Sequence, residues 1–177
     1  MDRLQVEHAN LRAALVWSER SGGAGELLGR LAGALWRFWW MRGHTSEGRS
    51  WLDRALAASA EPVVRSQQLN GAAGLAFFQD DYQRSREFWL QFIAHSRSTG
   101  RPTDTVLGLA RLAQVTRSSG DLDQAAALAE ESLNLGRQIG DPVSIGHALH
   151  SAEHRYCVRK LSGCTCSGTI GSAFRAA

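Results

Sequence analysis

Three groups of side chains have types and spacings that could do chemistry. His147, His150, His154 and Cys157 stand at i, i+3, i+7 and i+10. On one continuous helix they would share a face, and imidazole and thiolate are zinc donors. They span almost three turns, too far for all four to reach one ion. Two or three could bind with Cys164 or Cys166. Helical periodicity fades near Ser151, however, so the cluster reads as accidental and no metal or other cofactor is expected. Near the start, His8, Asn10 and Arg12 form a polar group in which His8 and Arg12 are i, i+4 neighbours. It reads as the surface of a helix that contacts a preceding domain. Asp80-Asp81 and Glu130-Glu131 are paired acids, but they fall on a turn and on a solvated helix face. Neither has the apolar pocket that raises a carboxyl pKa for acid–base work. There is no Gly-x-Ser-x-Gly elbow and no Gly-x-x-x-x-Gly-Lys-Ser/Thr phosphate loop. No catalytic residue is assigned, and the chain is not read as an enzyme.

The elements that would hold these residues are helices. Apolar residues recur at three and four spacings, and runs of β-branched residues are absent. Helices are expected over 2–19, 25–42, 46–58, 62–79, 82–99, 103–118, 122–140 and 141–151. Ser21-Gly22-Gly23 ends the first. Gly43, Asp80-Asp81 and Gly120-Asp121 mark tight turns, and Gly100-Arg101-Pro102 and Gly140-Asp141-Pro142 place Gly at one helix end and Pro at the next start. The composition agrees: 177 residues, 44% hydrophobic and 21% charged, support a packed core. No apolar stretch is long enough to cross a membrane, no secretory h-region follows Met1, and three cysteines make no disulfide framework. A reducing cytoplasm is the expected compartment.

Charge argues against nucleic acid. Residues 1–151 hold 16 Arg against 16 Asp plus Glu, so the whole net charge of +3 comes from residues 152–177. A neutral body has no footprint for a polyanion. Neither direct nucleic-acid binding nor a membrane is expected.

The helices come in pairs that repeat. With Gly43, Asp80 and Gly120 in register, the spacings are 37 and 40 residues. Gly48, Ser85 and Ala125 then coincide, as do Trp51, Phe88 and Leu128, Leu56, Ile93 and Leu133, and Leu35, Ala72 and Leu112. Small residues recur where paired helices must cross closely. One such pair cannot bury its apolar face alone, so neighbours stack. The predicted fold is all-α: an antiparallel helix-pair solenoid, a right-handed superhelix. The aromatic-rich first half reads mainly as core, with Trp36, Trp39 and Trp40 packing on Trp51.

The pattern resembles tetratricopeptide repeats. In the third unit Leu109, Leu112, Ala113, Gly120-Asp121-Leu122, Ala125 and Ala129 fall on the Leu, small and turn positions of that motif, and Asp80-Asp81-Tyr82 is similar to its Gly-Asp-Tyr turn. The opening Glu7-His8-Ala9-Asn10-Leu11-Arg12-Ala13-Ala14-Leu15, followed by Trp17, adds a second likeness. So does Leu31-Ala32-Gly33-Ala34-Leu35-Trp36-Arg37-Phe38-Trp39-Trp40 with Arg42-Gly43-His44. These segments resemble the region that follows the nucleotide-binding and winged-helix parts of bacterial signal-transduction ATPases, similar to LuxR-type and SARP-type transcriptional regulators. The likeness covers about residues 2–151. With no phosphate loop and no separate DNA-reading unit, this chain resembles the repeat arm alone, a fragment of such a regulator.

The resemblance implies a binding groove lined by the first helix of each pair. Carried over residue by residue, it holds Arg37, Trp40 and Met41, then Asn70, Gly74, Phe77 and Phe78, then Ala110, Gln114, Arg117 and Ser118. Arg, Trp and Phe there suit capture of a partner helix or peptide, or of a neighbouring domain of a longer parent. The Lys and Asn set of a carboxylate clamp is absent from these positions. The expected function is a protein–protein interaction scaffold, the sensor or oligomerisation arm of a regulator. A standalone adaptor and a small-molecule sensor with a pocket between repeats one and two are the rivals. The expected divisions are 1–24, an N-terminal helix and linker; 25–151, the repeats; and 152–177, an irregular tail foreign to the array, read as a frameshifted or disordered end, with a polar capping helix as the alternative. An array that ends uncapped is expected to self-associate.

Overall fold

The computed structural model describes residues 2–21, 25–58, 61–143 and 145–146. Among the described residues eight helices have defined bounds, in chain order: α1 (Asp2–Val6), α2 (His8–Arg20), α3 (Gly25–Met41), α4 (Thr45–Ala58), α5 (Pro62–Phe77), α6 (Tyr82–Ser98), α7 (Pro102–Ser118) and α8 (Leu122–Ile139). No strand occurs among the described residues. The fold is an all-α helical repeat, with pairs α3–α4, α5–α6 and α7–α8.

Local chemistry accounts for the boundaries. Pro62 and Pro102 occupy the first turns of α5 and α7, where a missing N–H costs no hydrogen bond. Asp81 and Asp121 accept from the backbone N–H groups of Arg84 and Gln124, capping α6 and α8. Gly43, Asp80 and Gly120 all have left-handed backbone, with φ of 75°, 57° and 97°. After each, the chain closes the same 6→1 bond: His44 N–H to Trp39 O at 2.8 Å, Asp81 N–H to Ala76 O at 3.0 Å, and Asp121 N–H to Thr116 O at 3.2 Å. Three equivalent turns with one bond pattern establish the register read from the sequence.

Packing follows that register. Leu35, Ala72 and Leu112 are all buried, as are Gly48, Ser85 and Ala125. At Gly48 the approach is closest: a Cβ there would lie 2.6 Å from Leu75 Cδ1 and 2.7 Å from Trp39 Cε3. The residues equivalent to Trp39 are Ala76 and Thr116, both fully buried. A large ring is thus matched by Gly in the first pair, and small side chains by Ser and Ala in the others. Each helix packs on the next along the chain, and α5 packs also on α3.

The structure departs from the sequence reading at the N-terminus. The single helix expected over 2–19 breaks at Glu7. Counting back 37 residues from His44, the residue before α4, lands on that break. α2 then behaves as another second helix. Leu15 aligns with Leu52, Trp89 and Ala129, and Ser18 with Ala55, Phe92 and Ser132; all eight are buried. Arg12, Arg49 and Arg86 stand 37 residues apart and repeat one job. Arg12 Nε donates to Glu47 Oε1 at 2.7 Å, Arg49 Nη2 to Asp81 Oδ2 at 2.7 Å, and Arg86 Nη1 to Gln124 Oε1 at 2.7 Å. Each arginine ties its helix to the start of the next second helix. The period therefore extends to α2, which the sequence reading set apart as a leading helix. After Gly140 one further turn begins, with Ile145 N–H donating to Asp141 O at 3.0 Å. The rest of the helix expected over 141–151, the His147–Cys157 cluster and the 152–177 tail lie outside the described residues, as does the end on which self-association was expected.

Candidate binding surface on the first helices

α3 and α5 meet along glycines. A Cβ at Gly71 would come within 2.9 Å of Trp36 Cβ, and one at Gly74 within 3.2 Å of Trp36 Cζ3. Trp36 therefore runs along α5 from Gly71 to Gly74, and the last turns of the two helices end side by side. There Trp40 stacks on Phe78, with ring centroids 4.3 Å apart and planes at 13°. Both rings stay open to solvent: Trp40 is 42% exposed, Phe78 43% and the adjoining Met41 56%. Phe77 meets Phe78 edge-on at 5.6 Å, but it is half-buried and packs inward against Tyr82 and the core. Of the three tryptophans expected to pack on Trp51, Trp39 shares its core cluster and Trp36 packs against that cluster, whereas Trp40 is exposed. Trp39 fills the space beside Gly48, Trp36 covers α5, and Trp40 goes to the surface stack, while Trp51 carries the Arg54 guanidinium 3.6 Å above its ring.

The polar positions are placed as follows. Arg37 is exposed on α3, with its guanidinium 5.3 Å from the Trp36 ring centroid. Asn70, Gln114 and Arg117 are half-buried on α5 and α7, and Ser118 is exposed. Ala110 is buried, so it offers no surface to a partner, and Gly74 is half-buried against Trp36. Arg111 was missed by sequence reasoning. It is half-buried and donates to Gln114 Oε1 at 3.1 Å. Burial, and then the like charge of Arg37, push its guanidinium below its ordinary value, although arginine stays charged. Among the described residues no carboxylate forms an ion pair with Arg37 or Arg111. The signal for Arg111 was available in the sequence: it lies three residues before Gln114, one turn away on the same face. The surface thus combines an exposed aromatic stack with two cations that have no acid of their own.

The other candidates are structural or lie elsewhere. Tyr82 Oη donates to Asp80 Oδ1 at 2.7 Å while Asp81 caps α6, so that pair of acids shapes a turn. Glu131 receives Arg97 Nη2 at 2.8 Å. An open cleft of about 740 Å³ lies between the α6–α7 turn and α8, lined by Arg97, Arg101, Thr105, Glu131 and Asn134 among others. It joins units two and three, whereas the sensor reading expected a pocket between units one and two. No helix among the described residues is long and apolar enough to cross a membrane.

Comparison with known proteins adds one relation. The chain is 27% identical over 171 residues to proteins of Mycobacterium tuberculosis and Mycobacterium bovis that are provisionally named HTH-type transcriptional regulators. The alignment covers 93% of this chain and 14% of the relative, so the chain spans about one seventh of the length of the curated relatives it matches. No protein-family model matches the sequence. The similarity supports a relation to a transcriptional regulator.

Proposed function

We propose that this chain is the helical-repeat arm of a bacterial, ATPase-type transcriptional regulator, related to the LuxR-type and SARP-type proteins, and that it serves as a protein–protein scaffold in the cytoplasm. It binds neither nucleotide nor DNA itself and has no catalytic role. The observation that carries this reading is the exposed Trp40–Phe78 stack, with Arg37 one helical turn before Trp40 on α3. Aromatic and arginine side chains dominate binding energy where a partner excludes water around them. The occupant is an amphipathic helix from a neighbouring domain of a longer parent. Its apolar residues at i and i+4 lie on Trp40, Phe78 and Met41, and a carboxylate on it pairs with Arg111 and Arg37. The great length of the related regulators leaves room for such a domain.

The test is photo-crosslinking from Met41 in the native cell. One discrete crosslinked product, lost in the Trp40→Ala/Phe78→Ala variant, is the expected result. A product that maps to another part of the same polypeptide supports the arm, and a separate protein supports the standalone adaptor. No crosslink, or one that survives the double substitution, removes the surface assignment.

A further inference from the structure

A second cluster lies between α2 and α4, away from the aromatic stack. His8, His44 and Glu47 stand far apart in sequence, yet one donor atom from each falls within 4.8 Å of the others. The two imidazole rings lie 4.3 Å apart at 36°, and both press on Phe38. The Nε2 atoms of His8 and His44 are buried and have no hydrogen-bond partner. His8 Nε2 is 3.2 Å from Glu47 Oε2 but out of line for a hydrogen bond. Two buried nitrogens without partners are costly unless something fills the space between them.

The repeat sharpens the point. His44 occupies the position at which the other units place Asp81 and Asp121, which cap their helices. The first unit has a histidine there instead, turned toward His8.

We propose that His8 Nε2, His44 Nε2 and Glu47 Oε2 bind one divalent transition-metal ion, zinc foremost, and so clip α2 to the first repeat. Two imidazoles and a carboxylate suit zinc, cobalt or nickel rather than calcium or magnesium, which take oxygen donors. Donors held at about 2.0–2.1 Å in a tetrahedron stand about 3.3 Å from one another. The His8–Glu47 separation already meets that spacing, and rotation of the His44 ring closes the remainder. Arg12 donates to both carboxylate oxygens, Nε to Oε1 at 2.7 Å and Nη2 to Oε2 at 2.6 Å. On metal binding Nη2 yields Oε2 to the ion, while Nε stays on Oε1 and holds the carboxylate in orientation. Water completes the coordination.

The test uses the full chain with zinc alone as the probe. Because cysteines and histidines near the C-terminus could also take zinc, the measurement is made in a Cys157→Ser/Cys164→Ser/Cys166→Ser background. Calorimetry and elemental analysis should then find one zinc per chain, with a raised melting midpoint that a chelator reverses. His8→Gln and His44→Gln should each weaken binding tenfold or more. Cobalt in place of zinc should give tetrahedral ligand-field absorption without a thiolate charge-transfer band. If a variant fails to fold, zinc protection of His8 and His44 from diethyl pyrocarbonate in the unsubstituted chain reads the same site. Less than a tenth of an equivalent of zinc in the serine background overturns the proposal. So does unchanged affinity in both folded histidine variants, or modification of His8 and His44 that zinc does not slow. None of these outcomes bears on the aromatic surface.

Discussion

At the scale of single residues, the decisive quantity is how much room one atom finds. Gly48 shows it. Its counterparts are Ser85 and Ala125, so Ala there looks conservative and would gain about 1 kcal/mol of helix propensity. Yet a Cβ would meet Trp39 and Leu75 at under 3 Å. Overpacking of this kind costs about 1–3 kcal/mol, so Gly48→Ala is expected to lower stability in urea titration, whereas Ala125→Ser should change it little. Neighbouring phenylalanines separate in the same way. Phe77 packs inward and Phe78 stacks outward on Trp40. Phe77→Ala should therefore reduce thermal stability. Trp40→Ala with Phe78→Ala should leave the melting midpoint close to that of the parent and weaken partner capture by about 2 kcal/mol, roughly thirtyfold in Kd. If Phe77→Ala spares the fold while the Trp40/Phe78 pair melts it, the roles assigned to these rings are reversed.

At the scale of elements, α2 is held to the array by polar ties as well as by Leu15. Arg12 grips Glu47, and Arg54 Nη1 lies 3.1 Å from Glu19 Oε2. The Arg12 hydrogen bond is the main cause that holds the Glu47 carboxyl below its ordinary range, against the opposing effect of burial. A carboxyl whose folded pKa lies below its unfolded value contributes stability above the ordinary carboxylate range and loses it as pH falls through the lowered value. The docking of α2 should thus weaken in acid, and Glu47→Gln should flatten that part of the stability profile. Hydrogen exchange along α2 as a function of pH reads this directly; an unchanged acid limb in Glu47→Gln would assign the loss to other carboxyls. Asp81 behaves alike, lowered first by its hydrogen bond from Arg49. The turn at Gly120 makes a separate point. It has open space around it but a φ of 97°, so Gly120→Ala should cost about 1 kcal/mol through backbone conformation alone.

At the scale of the whole molecule, each pair is stable only against its neighbours. Leu69 is fully buried on the central helix α5, which touches α3, α4 and α6. Leu69→Ala removes contacts in the middle of the array and should cost about 2–5 kcal/mol. Because neighbouring interfaces carry the cooperativity of a repeat array, the same change should also divide one urea transition into two, seen by following the tryptophan-rich first half and the tryptophan-free third unit separately. A single shifted transition would mean that the three pairs unfold as one body.

Periodicity, turn chemistry and the spacing of small residues were enough, within the sequence, to establish helices, their pairing and the register, because these depend on neighbours one turn or one turn-loop away. Gly43, Asp80-Asp81 and Gly120-Asp121 marked tight turns, and the backbone makes them in the left-handed region at Gly43, Asp80 and Gly120. Contacts between units are another matter. The join of α2 to α4 through Arg12, the convergence of His8 with His44, the approach of Arg111 to Arg37 and the division of Phe77 from Phe78 all depend on how one helix crosses another. A crossing angle is set by many side chains packing at once. A small change in that angle decides whether a ring at the edge of an apolar stripe is covered or open, which is why only the tertiary structure separated the exposed Phe78 from the inward Phe77 within the surface that the resemblance implied.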